Sequence, residues 1–203
     1  MKFNRIHFNI QPCLQTISQK SALYNNYLKD IEIIPNFINE KEEEKLILFS
    51  NKKMKRKQYE LNHIDNKILN YREVQVSSIE DEEILNIIDK VHGMFKDKIW
   101  LPLHILDLNN NGKILPHIDN HELSGSIIIG LSLLSDTKIK FQHQDGDHEF
   151  ELLANRRSLY IQKDSIRYNY LHSIMNDNNE FLFNNQVYSS GRRISWLFRD
   201  AKL

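Results

Sequence analysis

The chain has 203 residues, 40% of them hydrophobic, which is enough to bury one full core with little left for a second domain. Lysine plus arginine balance aspartate plus glutamate at 27 each, so no overall field draws in polyanions, and any nucleic-acid contact would need a local patch. A single cysteine, Cys13, excludes an intrachain disulfide framework and fits a reducing compartment, and the longest strongly apolar run, Ser126 to Leu134, falls far short of the roughly 20 residues a membrane-spanning helix needs.

Residues 1 to 29 hold Lys2, Arg5, Lys20 and Lys29 but no acid before Asp30, and Phe3, Ile6, Ile10, Leu14 and Ile17 recur at helical spacing. Basic, amphipathic and acid-free, the segment reads as a mitochondrial transit peptide; Pro12 interrupts the helix and leaves a loosely packed N-terminal arm as the other reading. A single domain is expected over residues 30 to 203. It opens with a short strand at Ile31 to Ile34 running into a helix from Glu40 to about Phe49. Asn39, with Glu42 three residues on, resembles a capping box, and Leu46, Ile47 and Phe49 form the face that packs on a sheet.

Lys52, Lys53, Lys55, Arg56 and Lys57 make the densest basic cluster, which reads first as a solvated face and second as a phosphate contact, with Tyr59 and Tyr71 near enough to stack on bases or else serving as ordinary packing. Residues 71 to 76 alternate like a strand, and a second amphipathic helix is expected from about Ile79 to Lys96. From Trp100 the pattern changes to short strands, at 103–108, 113–118, 126–134, 138–142, 149–153, 158–162, 170–174 and 192–199. Turns are expected at Asn109 to Gly112, Asp136-Thr137, Asp145 to Asp147 and Asn155 to Ser158. The fold expected is α+β: a double-stranded β-helix, or jelly roll, with the N-terminal helices packed on one sheet. The Asn-rich segment Asn176 to Asn185 reads as a loop, and residues 176 to 190 as a possible cover for a site.

The stretch that organises this reading is Leu103 to Asp119, taken as a strand, a turn and a second strand that presents His117 and Asp119. On an extended backbone residues two apart face the same way, so an imidazole and a carboxylate at this spacing can share one ion. They make two-thirds of a 2-His-1-carboxylate triad, the arrangement that suits Fe(II) with open positions. His-x-Asp also arises without a site, as in His63-Ile64-Asp65, where no strand scaffold surrounds it. His121 lies about 13 Å along an extended strand from His117, at roughly 3.3 Å per residue, too far to share its metal. The third ligand must therefore come from another strand: His143, His148 or His172. His143 and His148 flank the Gly146 turn, where solvated histidines are expected, and His172, leading into a late strand, is favoured. On the last strand Arg193, Ser195, Leu197 and Arg199 share one face and Ile194, Trp196 and Phe198 the other. The arginine face is expected to look into the roll, where it could grip the ends of a small dicarboxylate or pair with Asp119.

His117-x-Asp119, His172 and Arg193-x5-Arg199 together resemble the signature of the AlkB family of Fe(II)- and 2-oxoglutarate-dependent dioxygenases. The likeness extends to Leu106-Asp107-Leu108, Pro116 to Asp119, Gly130 to Ser135, Ser158 to Ile161, Arg167-Tyr168 and Gly191 to Ser195, over roughly residues 31 to 200. It implies that His117, Asp119 and His172 ligate iron, that Arg193 holds the distal carboxylate of 2-oxoglutarate, and that Arg199, Tyr160 and His104 complete the co-substrate pocket. It implies oxidative chemistry, in which O2 and 2-oxoglutarate give succinate and carbon dioxide while a carbon–hydrogen bond is oxidised. The nucleic-acid-repairing members usually carry Arg-x-Asn-x-Thr-x-Arg on the last strand; here Ser195 and Leu197 take the middle positions, and no aromatic-rich lid precedes residue 103. The expectation is a mitochondrial-matrix enzyme acting on a macromolecule, either methylated bases of mitochondrial RNA or a protein side chain, with roles in fatty-acid metabolism and regulated necrosis. The alternative is a jelly-roll binding or regulatory module with a structural metal.

Overall fold

A computed structural model describes residues 13–19, 26–62, 66–175 and 179–202. His63-Ile64-Asp65, most of the basic N-terminal segment (residues 1–12 and 20–25) and residues 176–178 of the Asn-rich segment lie outside them. In chain order the elements are β1 (Leu14–Gln19), a 3-10 turn (Tyr27–Asp30), β2 (Ile31–Ile34), α1 (Glu40–Lys53), β3 (Glu60–Asn62), β4 (Ile68–Val76), α2 (Glu82–His92) and β5 (Leu103–His117). Then follow β6 (Ile127–Leu133), β7 (Thr137–His143), β8 (His148–Ala154), β9 (Leu159–Lys163), α3 (Asp164–Asn169), β10 (Tyr170–Met175), β11 (Glu180–Phe183), β12 (Gln186–Ser189) and β13 (Arg193–Arg199). The main sheet is antiparallel and runs β1-β8-β7-β10-β5-β13-β6-β9-β2, with β4 added to β5 and β3 to β4.

β5 explains how one sheet wraps a cavity. Its first half pairs with β13 and its second half with β10. Between the halves, Asn109 to Gly112 does not reverse the chain as expected; it forms a bulge inside one continuous strand. The ladder runs from Leu69↔Lys113 to Tyr71↔Leu108, so β5 spends extra residues there and bends. Gly112 permits the close approach, since a Cβ would stand 2.8 Å from the Asn70 carbonyl oxygen.

Alternation then sorts the side chains into two buried clusters. One contains Ile105, Ile129, Leu131, Ile161, Ile194, Trp196 and Phe198 from the strands together with Leu46 and Met54 of and after α1, and Ile84, Ile87, Ile88 and Val91 of α2. The Trp196 indole donates to Ser50 Oγ of α1 at 2.8 Å. The other, the inner cluster on the cavity side, contains Leu106, Leu108, Ile114, Phe141, Tyr160, Ile174 and Leu197, all from the opposite strand face. The Asn39–Glu42 capping box is present: Asn39 Oδ1 accepts from Glu42 N at 3.0 Å and Glu42 Oε2 from Asn39 N at 2.7 Å.

Two further sequence readings change, and a third is decided between its alternatives. Leu14 to Gln19, read at helical spacing, is an edge strand antiparallel to β8, and Leu14 is buried in the inner cluster, so ordered sheet begins well before residue 30. The Asn-rich segment carries a hairpin, β11–β12, whose two-residue turn places Asn184 and Asn185 at φ +48 and +62. Asparagine tolerates this left-handed region, which a tight hairpin requires. Of the two readings of the tyrosines, base stacking or ordinary packing, the second is the one seen: Tyr71 is buried in the inner cluster, and Tyr59 lies under the Arg72 guanidinium and donates to Asp107 at 3.2 Å. Lys52, Lys53, Lys55, Arg56 and Lys57 are exposed.

Asp107, fully buried, accepts from Arg72 Nε at 2.8 Å and from Arg192 Nε and Nη2 at 3.0 and 2.9 Å, tying β4, β5 and the segment entering β13. Two guanidiniums share this one carboxylate, so its loss leaves both uncompensated. Asp107→Asn is expected to destabilise the protein by about 3 kcal/mol in chemical denaturation; a loss below about 1 kcal/mol would show that solvent serves the arginines equally well.

Candidate active site

His117 and His172 are direct cross-strand partners on β5 and β10, with ring centroids 4.4 Å apart. Asp119 lies beyond the end of β5, in a loop, and so reaches the site by loop conformation and not by strand alternation. Its Oδ1 stands 3.3 Å from His117 Nε2 and 3.7 Å from His172 Nε2. All the ligand atoms of this trio lie within 4.8 Å of one another, and no other group of three metal-ligating side chains is found among the described residues.

The donor chemistry suits a cation. His117 Nδ1 is 2.8 Å from the Leu115 carbonyl oxygen, which can only accept, so Nδ1 carries the proton and Nε2 presents a lone pair toward the Asp119 carboxylate. Two acceptors face one another there unless a metal ion, or an extra proton, sits between them. Burial pushes the His172 imidazole down to about 4, an effect that His117, Arg199 and Arg167 reinforce and Asp119 opposes, so it is neutral and ready to ligate near pH 7. Burial alone would raise the Asp119 carboxyl, but Arg199 and the two histidines outweigh it and hold it well below the usual range.

The cavity beside the trio is lined by His104, Tyr160, Arg193 and Arg199, so the residues predicted from the sequence share one chamber. Arg199 donates to Asp119 Oδ2 from Nε at 3.1 Å and Nη2 at 3.0 Å, and from Nη1 to His104 Nδ1 at 3.0 Å. His104 must therefore carry its proton on Nε2, which donates to Glu73 at 2.8 Å. Arg193 is 1% exposed and meets no carboxylate among the described residues. It donates to Ser195 Oγ and, at 2.8 Å, to Ser132 Oγ, with the Tyr160 hydroxyl beside it. Its Nε has no hydrogen-bond partner among the described residues. A buried guanidinium ringed by neutral hydroxyls fits an anionic group that enters from outside the chain.

Gly130 is required next to this pocket: a Cβ there would stand 2.3 Å from the Tyr160 ring. Sequence reasoning missed the roles of Gly130, Ser132 and Gln162, which also line or bound the pocket, and of Arg167, which binds the Asp119 backbone. The signal available was Ser132 and Ser195, two hydroxyls that pair across otherwise apolar strands. The other histidines stand apart. His121 is exposed and packs edge-on against Tyr168; His143 sits 3.4 Å from Asp145 at the turn. His148, expected in solvent, is fully buried, with Nδ1 2.7 Å from the Tyr170 hydroxyl, because β1 and the Tyr27 ring cover it.

This is the architecture of a 2-oxoglutarate-dependent dioxygenase. Among solved structures, OsALKBH1 superposes with a TM-score of 0.62 at 11% identity, over 84% of this chain and 96% of that one. The viral collagen prolyl hydroxylase of Paramecium Bursaria Chlorella virus-1, in complex with 2OG, superposes with a TM-score of 0.54 at 13% identity, over 84% and 96%. No family model matches the chain. The mitochondrial alpha-ketoglutarate-dependent dioxygenase alkB homolog 7 of Mus musculus is 33% identical over 191 residues, covering 92% of this chain and 86% of the relative. The Bos taurus protein of the same name is 34% identical over 199 residues, covering 93% and 90%. The chain belongs to the AlkB homolog 7 family of alpha-ketoglutarate-dependent dioxygenases, which implies iron and 2-oxoglutarate as its cofactor and co-substrate.

The charge state of the site sets a pH dependence. The His172 value falls from an ordinary 6.5 to about 4 on folding, so its contribution to stability is present above 6.5 and lost as pH drops toward 4. The Asp119 contribution has the same sign and is lost at lower pH. The denaturant midpoint of the metal-free protein is expected to fall between pH 6.5 and 4, and less steeply in His172→Gln; identical slopes would contradict the burial of a neutral imidazole.

Proposed function

We propose that the protein is a mitochondrial-matrix dioxygenase that hydroxylates or demethylates a carbon–hydrogen group of a macromolecule, with His117, Asp119 and His172 holding Fe(II). The observation that carries this reading is the convergence of three ligand atoms beside a buried arginine whose partners among the described residues are neutral hydroxyls. Bound there, Fe(II) and 2-oxoglutarate would supply the oxidative decarboxylation that drives attack on a substrate carbon–hydrogen bond. Arg193, with Ser132, Ser195 and Tyr160, receives the distal carboxylate. Arg199 and His104 complete the co-substrate pocket, and their contacts with Asp119 and Glu73 hold that wall in place. Apolar Leu106, Ile114, Phe141 and Ile174 exclude water from the chamber. The helical layer on the outer strand face braces the strands that carry these groups.

Between the two macromolecular classes, a protein side chain is the better supported. The aromatic rings nearest the basic cluster are committed to internal packing, Tyr71 in the core and Tyr59 beneath Arg72, so among the described residues that loop offers no open aromatic platform for a flipped base. Methylated mitochondrial RNA is the competing substrate, and fatty-acid metabolism and regulated necrosis are the settings the family resemblance implies. The domain is proposed to include β1, so that a transit peptide would end before Leu14 and not at residue 29.

Succinate release with Fe(II), 2-oxoglutarate and O2 is expected in the wild type and lost in His117→Ala. Arg193→Met should raise the KM for 2-oxoglutarate by at least 10-fold, since a buried charge-assisted contact is worth roughly 1.5–3 kcal/mol. Turnover in neither wild type nor variant would leave a binding module. Adding a methylated RNA or a mitochondrial protein fraction to the same assay, and asking which stimulates succinate release, decides the substrate class. Chains beginning at residue 13 and at residue 30 separate the boundaries: the shorter one is expected to melt lower because Leu14 leaves the inner cluster, and equal melting points would restore residue 30 as the start.

A further inference from the structure

The backbone ladder does not hold Asp119. β5 ends at His117, and residues 118 to 120 belong to no strand, so side chains must fix this residue: Arg199 on β13 grips its carboxylate, and a second group must tie its backbone to the segment leading into β10. The Arg167 guanidinium is placed to do so. It lies on α3, immediately before β10, and is 2% exposed. Nη1 donates to the Asp119 carbonyl oxygen at 2.9 Å, while Nη2 donates to the Asn120 carbonyl oxygen and to Ser124 Oγ, both at 3.0 Å.

Each of these acceptors is neutral. The bonds therefore locate the loop and do not neutralise the cation, a costly use of a buried arginine. The short helix under it is itself anchored: Ile166 is fully buried in the inner cluster, Asp30 Oδ2 accepts from Ser165 N at 3.3 Å, and the Tyr168 ring lies 5.2 Å from the Arg167 guanidinium carbon. Arg167 thus spans the loop that bears one ligand and the segment that leads, five residues on, into another.

Resting on the reading that His117, Asp119 and His172 hold iron, we infer that Arg167 is a positioning residue: it locks the Asp119 loop to the β10 segment so that the three ligands keep one geometry. Only a planar fork can reach two successive carbonyls and a hydroxyl together, so lysine cannot replace it.

The test uses the full chain, stripped of metal and titrated with Co(II), whose visible absorption reports ligand geometry. Wild type is expected to bind one Co(II). Arg167→Met and Arg167→Lys are expected to bind it about 10- to 100-fold more weakly with an altered spectrum, the usual scale for groups that orient metal ligands. Methylguanidinium should restore the spectrum in Arg167→Ala. Ser124→Ala, which removes one acceptor and leaves the guanidinium in place, should shift the spectrum in the same direction by less. Wild-type affinity and spectrum in a folded Arg167→Met overturn the inference while leaving the ligand set intact. Should the Arg167 variants not fold, an unchanged Ser124→Ala overturns it equally. Failure of the wild type to bind Co(II) sinks the ligand set, and this inference with it.

Discussion

β13 runs between β5 and β6 with its side chains divided between two unlike environments, and the rest of the molecule depends on that division. On one face Trp196 and its neighbours share a core with the helices; on the other, one and three residues from Trp196 in either direction, stand Arg193, Ser195, Leu197 and Arg199. Period-2 alternation makes the two faces inseparable: a slip of one residue would drive two guanidiniums into the helical core and Trp196 into the cavity. The apolar face thus sets the register that puts charge at the site.

Charge inside the chamber is distributed unevenly. Asp119 is matched by Arg199 and flanked by two imidazoles, whereas among the described residues Arg193 meets hydroxyls alone. One end of the cavity therefore presents converging lone pairs and the other an uncompensated cation. That polarity suits a metal at one end and a carboxylate at the other, and the apolar walls between them strengthen both interactions by excluding water. Outside the chamber, Asp107 with Arg72 and Arg192 repeats the logic in structural form, with the carboxylate supplied by the chain itself.

Much of this was legible in the sequence. The later strand candidates recur within a residue or two of β6 to β10 and β13, because turn residues bound them sharply and alternation is strong. The β13 faces and the trio His117, Asp119 and His172 were also readable, the first from period and the second from residue chemistry together with the family resemblance. What escaped was set by partners remote in sequence. Asn109 to Gly112 has the composition of a turn, yet two flanking ladders keep it a bulge. Leu14 to Gln19 has helical spacing, yet the free edge of β8 offers it hydrogen bonds and a place for Leu14. Two asparagines inside a polar run made a tight hairpin, since only backbone geometry distinguishes that from a loop.

By itself the sequence determined which residue types could bind a metal and a dicarboxylate, and that Arg193 and Arg199 share one face of the last strand, because side-chain chemistry and backbone period are local properties. Tertiary structure alone decided how they meet: that His172 pairs across from His117, that Asp119 is held from a loop by Arg167, and that Arg193 is sealed among hydroxyls. Those relations depend on strand pairing and burial over long separations, and no local pattern encodes the distance between two segments that touch only after the sheet has closed.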